Sequence, residues 1–128
     1  VSLKRVFSSP AVRAMETAEW LMPSLGLSDA KLEVVTPLYT FNYEDILAWL
    51  RSLDRDADRF ALICHNPAIT DLVNFLTLMQ IDKIPTCGIA LLQVDVNHWQ
   101  DLGAGMAELR YFGFPKSVSG KTISLGSG

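Results

Sequence analysis

The chain has no block of Lys or Arg and carries a net charge of −3, so it lacks the concentrated basic surface that binding to a phosphate backbone requires; nucleic acid is excluded as the main partner. No apolar run approaches the ~20 residues that span a bilayer, and the N-terminal residues lack the charged head and long apolar stretch of a signal peptide. No membrane partner is predicted. The two cysteines, Cys64 and Cys87, lack metal-ligand spacing and lie in apolar runs, where a free thiol behaves as a small hydrophobe. A cytoplasmic location follows as the simplest expectation. Histidine is also scarce, with His65 and His98 the two present. Internal repeats and low-complexity segments are lacking.

What the chain does have is apolar content, 49% over 128 residues, enough for one domain with a buried core and too little length for two. A short strand, Arg5 to Ser8, ends at Ser9-Pro10, where Ser suits an N-cap and Pro the first helical position. The helix that follows has its apolar stripe at Ala11, Ala14, Met15, Ala18, Leu21, Met22 and Leu25, with Pro23 and Gly26 to end it. Lys31 to Val35 reads as a strand. Asn42, Glu44 and Asp45 favour a second helix start, with Ile46, Leu47, Leu50 and Leu53 as its core stripe. The mixed-charge run from Asp54 to Arg59 is a solvated turn.

Phe60 to Cys64 is a continuous apolar run, the pattern of a strand covered on both faces in a parallel sheet. It leads into His65-Asn66-Pro67, where Asn66 can cap and Pro67 open a third helix with the stripe Ile69, Leu72, Val73, Leu76 and Met79. Gly88 to Val94 and Ala107 to Phe114 are further strands, with Asn97-His98 a turn between them. Strands alternating with amphipathic helices predict a layered α/β/α domain with a mostly parallel central sheet over residues 1–116; residues 117–128, rich in Ser and Gly, read as a flexible tail.

Two strand-to-helix junctions echo each other: Ser9-Pro10-Ala11-Val12 and Asn66-Pro67-Ala68-Ile69. Ligands in open α/β sheets gather beyond the carboxyl ends of the strands, and each following helix start offers N–H donors and a positive dipole end. Arg13 in the first turn of one helix and His65 just before the other would then point at one small volume. An oxyanion such as phosphate suits it, since Arg offers paired donors and the imidazole another. Taken singly, each residue has an ordinary role: Arg13 in a surface ion pair with Glu16, His65 as a core histidine bonded to a carbonyl. Their joint placement at matching junctions points to a site.

Ser8-Ser9-Pro10-Ala11-Val12-Arg13-Ala14-Met15-Glu16-Thr17-Ala18 resembles the Ser-Ser-Pro-x-x-Arg-Ala-x-x-Thr-Ala segment of the histidine phosphatase superfamily (phosphoglycerate mutase-like). Leu62-Ile63-Cys64-His65-Asn66-Pro67 resembles its hydrophobic-Gly-His-Asn-Pro segment, and Ile84-Pro85-Thr86 with Phe114-Pro115-Lys116 is similar to the later pattern of the small SixA-type phosphohistidine phosphatases. The resemblance implies that Arg13 binds the phosphoryl oxygens, that His65 is the second active-site histidine, and that the Asn66 amide completes the pocket. It implies a phosphatase acting on phosphohistidine or a similar phosphoryl group of a phosphorylated protein or small phosphate ester. It also implies a covalent phosphohistidine intermediate. No metal and no cofactor are expected, because the carboxylates near the site, chiefly Glu16, are too few to hold a divalent ion and the cationic side chains can stabilise the charge.

The chain departs from that pattern in one decisive respect. It contains no Arg-His-Gly or Arg-His-Ala segment, the one that carries the nucleophile in the family, so the family's first strand and helix are expected to precede Val1 and to be supplied in cis or in trans. Cys64 stands where glycine is usual, and no arginine follows it at phosphatase-loop spacing. His98, in a polar Asn-His-Trp turn, is expected to have a structural or surface role. Without the missing strand, the sheet is expected to hold unpaired backbone groups at its centre. A non-catalytic module that binds phosphate or phosphoprotein, and a scaffold domain whose caps serve helix initiation alone, are the alternatives.

Overall fold

The computed structural model describes residues 5–27, 29–53, 59–82, 87–94, 96–115 and 122–125. The elements run in the order β1 (Arg5–Ser8), α1 (Val12–Ser24), β2 (Lys31–Val34), α2 (Tyr43–Arg51), β3 (Arg59–Cys64), α3 (Ala68–Thr77), β4 (Gly88–Val94), β5 (Ala107–Pro115) and β6 (Thr122–Leu125). Short 3-10 turns lie at Thr36–Leu38 and Trp99–Asp101. The charged run 54–58 and Ile84-Pro85-Thr86 lie outside the described residues, as does Lys116.

One six-stranded sheet has the order β2-β1-β3-β4-β5-β6. The two pairings of β1, with β2 and with β3, are parallel; β3–β4, β4–β5 and β5–β6 are antiparallel. The sheet is therefore mixed, which corrects the mostly parallel expectation. The sequence pattern misleads here because a strand buried on both faces looks the same whichever way its neighbour runs. The antiparallel half also removes the expected gap: β3 pairs directly with β4 from Arg59↔Gln93 to Cys64↔Gly88, so its backbone groups on that side are satisfied. Within the stretch expected to be a flexible tail, Thr122–Leu125 adds an edge strand to β5.

The layers follow from strand alternation. On one face Val6, Ala61, Ile63 and Ile89 pack under Ala14, Ala18 and Leu21 of α1. On the other, Phe7, Phe60, Leu62, Cys64, Ala90 and Leu92 pack against Ile46 and Leu50 of α2 and Ile69, Leu72 and Leu76 of α3. The domain is thus α/β/α, with one helix on one face and two on the other. Phe7 sits edge-on to Trp49 at 4.8 Å between centroids, and Phe60 edge-on to Trp99 at 5.0 Å, the T-shaped geometry that aromatic quadrupoles favour.

The helix starts differ in detail from the simple capping pattern. The residue at the N-cap of α1 is Ala11; Ser9 serves from two residues further out, its Oγ accepting the Ala11 N–H at 3.2 Å. At α3 it is Pro67 that occupies the N-cap, after a cis Asn66–Pro67 peptide, and Asn66 is not the capping residue. Asn42 holds the N-cap of α2, but its side chain makes no capping bond. Thr40 organises that turn instead: its Oγ1 donates to Asp45 at 2.7 Å and accepts the Asn42 N–H at 3.0 Å. The stripe of α3 stops short of Met79, because Leu78 turns left-handed at φ 61° and Met79 lies beyond the helix, exposed.

Candidate functional site

β1 and β3 are parallel neighbours, so their carboxyl ends lie side by side at one edge of the sheet. The Ser9 N–H donates to the Ile63 carbonyl at 2.9 Å, which ties the first junction to the second at the point where both strands end. On the other flank the Val35 N–H donates to the Ser8 carbonyl at 2.8 Å, bringing the exit of β2 to the same edge. Ser8 and Ser9 are fully buried, and the Ser8 hydroxyl donates to the Ser9 carbonyl at 2.9 Å. Three parallel strands therefore discharge their chains over one small region, and this brings α1, His65 and the segment after β2 together.

Arg13 stands in the first turn of α1, exposed, with no carboxylate partner among the described residues; the ion pair with Glu16 does not form there. The first turn of α1 holds no acidic residue, so the positive end of its dipole is not offset locally. The first turn of α3 does contain an acid, Asp71, which makes α1 the more electropositive of the two helix starts.

His65 is half-buried immediately after β3, and its backbone carbonyl accepts the Ile69 N–H at 3.1 Å. Its ring Nδ1 is buried and has no hydrogen-bond partner among the described residues, so the core-histidine role, with a carbonyl satisfying the ring, does not describe it. Burial, and then the positive charge of Arg13, lower its pKa from the ordinary 6.5, so the imidazole is held neutral near pH 7. Asn66 is oriented by Thr70: the fully buried Thr70 hydroxyl donates to the Asn66 Oδ1. Sequence pattern placed Arg13, His65 and Asn66 at one strand-end region, and the tertiary structure brings them there.

Cys64 is fully buried on the α2/α3 face, and among the described non-glycine residues Leu78 alone has a positive φ. The backbone at Cys64 thus carries a Cβ without strain, although glycine is usual at that position in the pattern. Burial, and next the neighbouring Cys87, push the Cys64 thiol far above its usual range. Cys87 is pushed up to about 11 by burial, partly opposed by Arg13, which sets this second thiol within the same electrostatic neighbourhood. Both thiols are protonated at neutral pH, and neither is activated as a nucleophile. His98 follows β4, which runs antiparallel to β3, so it lies at the opposite end of the sheet, roughly 20 Å away by strand rise.

Two residues that sequence pattern did not single out stand beside the imidazole. Tyr39 and Phe41 each have ring centroids 6.4 Å from that of His65, Tyr39 tilted by 37° and Phe41 edge-on at 73°. The available signal was a pair of aromatic residues in a short connection just after a parallel strand. A separate groove of about 460 Å³, lined by Met15, Ala18, Met22, Pro23 and Leu32 among others, lies between α1 and β2.

Among the described residues no cluster of three or more His, Cys, Asp or Glu stands close enough to hold a metal ion, and no helix is long and apolar enough to cross a membrane. Comparison of the chain with protein-family models, curated proteins and solved structures finds no match.

Proposed function

We propose that Arg13, His65 and Asn66 form the phosphoryl-binding part of a histidine-phosphatase-like site. In this proposal the chain serves hydrolysis of phosphohistidine or a similar phosphoryl group, on a phosphorylated protein or small ester, through a phosphohistidine intermediate. The observation that carries the proposal is the meeting of the two echoing junctions at the carboxyl ends of β1 and β3. A phosphoryl group seated there meets paired donors from the Arg13 guanidinium, the unneutralised start of α1 and the imidazole of His65. These groups stabilise the charge on the transferring oxygens without a metal. The attacking imidazole is assigned to residues outside the given chain, because both thiols here are protonated and His98 lies at the far end of the sheet.

One observation favours a second reading, a non-catalytic module that binds phosphate or phosphoprotein. β3 and β4 pair directly at the centre of the sheet, where unpaired groups were expected, so a catalytic assembly that adds a central strand would have to open a pairing.

Titration with phosphate, tungstate or vanadate tests what the two readings share. Each anion is expected to bind at one site, at least tenfold more weakly in Arg13→Ala, and more weakly in Arg13→Lys because an ammonium lacks the paired contact. Binding undiminished in Arg13→Ala sinks both readings. A phosphohistidine substrate with acid-labile phosphate trapping then separates them. The given chain is expected to show negligible turnover, and a polypeptide extended upstream to show turnover with a trapped intermediate if the site is catalytic.

A further inference from the structure

Exposed aromatic rings lose hydration-driven stabilisation that burial would supply, so two of them together on a tethered segment call for a reason. Tyr39 is 65% and Phe41 68% exposed. Their segment is nevertheless held at several points: Val35 by its bond to Ser8, Leu38 by complete burial in the core, and Thr40 by Asp45 and the Asn42 N–H. The rings are thus presented from an anchored backbone, each beside the same imidazole, at centroid distances within the range that aromatic pairs adopt. The positive charge of Arg13, exposed and without a carboxylate partner among the described residues, reaches the same imidazole.

An occupant complementary to both features carries an anionic group and, across an ester oxygen, a flat apolar ring. We propose that Tyr39 and Phe41 form an aromatic platform that receives a planar ring joined through its ester oxygen to the bound phosphoryl group, so that the site selects aryl phosphates over alkyl phosphates and inorganic phosphate. The inference rests on Arg13 and His65 binding the phosphoryl oxygens. Within it, the two aromatic residues determine specificity and take no part in bond making or breaking. Stacking and edge contacts by a third ring would cover the exposed faces of Tyr39 and Phe41 and withdraw apolar surface from water.

The test is a calorimetric titration of the full chain with inorganic phosphate, methyl phosphate and phenyl phosphate at constant pH and ionic strength. Phenyl phosphate is expected to bind about tenfold more tightly than methyl phosphate, the ratio that ~1.4 kcal/mol of ring contact produces. Tyr39→Ala and Phe41→Ala are expected to bring phenyl phosphate down toward methyl phosphate while leaving inorganic phosphate within about twofold. Tyr39→Phe and Phe41→Tyr, which keep a ring, are expected to retain the preference. Both positions are exposed, so the alanine variants should fold. Equal affinity for the phenyl and methyl esters, or an equal loss of all three ligands in the alanine variants, overturns the platform and leaves the anion site standing. Failure of inorganic phosphate to bind, or binding that ignores Arg13→Ala, overturns the anion site and the platform with it.

Discussion

His65 couples the site to pH. Its pKa is lowered in the folded chain by burial and by Arg13; the other groups facing it are Tyr39 and Phe41 from the segment after β2, with Cys87 in the same neighbourhood of Arg13. The unfolded chain therefore binds more protons than the folded one between the lowered value and 6.5. The stability linked to this group is fully present above pH 6.5 and is lost as pH falls through the folded value. The urea midpoint is expected to drop over that window, and His65→Asn, which cannot titrate, to flatten the drop. A bound anion reverses the balance, because it offsets Arg13 and favours the imidazolium. Sulfate keeps its own charge constant near neutrality and should bind more tightly as pH falls from 8 toward 5.5, whereas His65→Asn should show a flat profile. A wild-type affinity independent of pH would remove His65 from the anion contact.

At the scale of elements, the end of α3 shows how local signals and tertiary contacts combine. The Asn74 side chain donates to the Ile81 carbonyl and accepts the Ile81 N–H, both at 2.9 Å, which clasps the chain leaving the helix. Leu78 passes through the left-handed region, and the Gly105 N–H donates to the Phe75 carbonyl at 3.1 Å, satisfying one of the helix's last acceptors. Gly105 itself has φ 72°, and a Cβ there would lie 2.9 Å from the Leu78 Cδ1, so glycine is needed at this turn. Asn74→Ala should cost about 1–3 kcal/mol in equilibrium unfolding, since it leaves both Ile81 backbone groups without their partner. Gly105→Ala should cost about 1–2 kcal/mol through its strained φ. Denaturant curves that superpose on wild type for both variants would show that the turn contributes nothing to holding α3.

At the scale of the molecule, the consequential pairing is β3 with β4. β3 is buried along nearly its whole length and β4 along most of it, and together with β1 they form the middle of the sheet. Their ladder predicts strong protection of the β3 and β4 amides from hydrogen exchange, near the global limit, in the chain by itself. Fast exchange confined to facing amides of these strands would restore the expectation of a central gap and, with it, a place for another strand. Slow exchange there, combined with anion binding and no turnover, would favour the binding-module reading.

Much of this organisation is written locally. Arg5 to Ser8, the helical stripes, Gly26 at φ 72° past α1, and the two proline-bearing junctions were legible because they depend on neighbours within a few residues. Arg13, His65 and Asn66 were legible as candidates for the same reason: each stands at a fixed offset from a strand end and a helix start. Strand partners and direction were decided by tertiary structure alone. Backbone hydrogen bonds are blind to side-chain type, and the apolar run Phe60 to Cys64 suits a parallel and an antiparallel neighbour equally; it has one of each. The edge strand at Thr122–Leu125 arises in the same way, from pairing with β5 and not from its own Ser- and Gly-rich surroundings. Tertiary structure also decided the chemistry of His65. Burial and Arg13 lower its pKa, and its aromatic neighbours Tyr39 and Phe41 are distant in sequence, gathered there because β1 lies between β2 and β3.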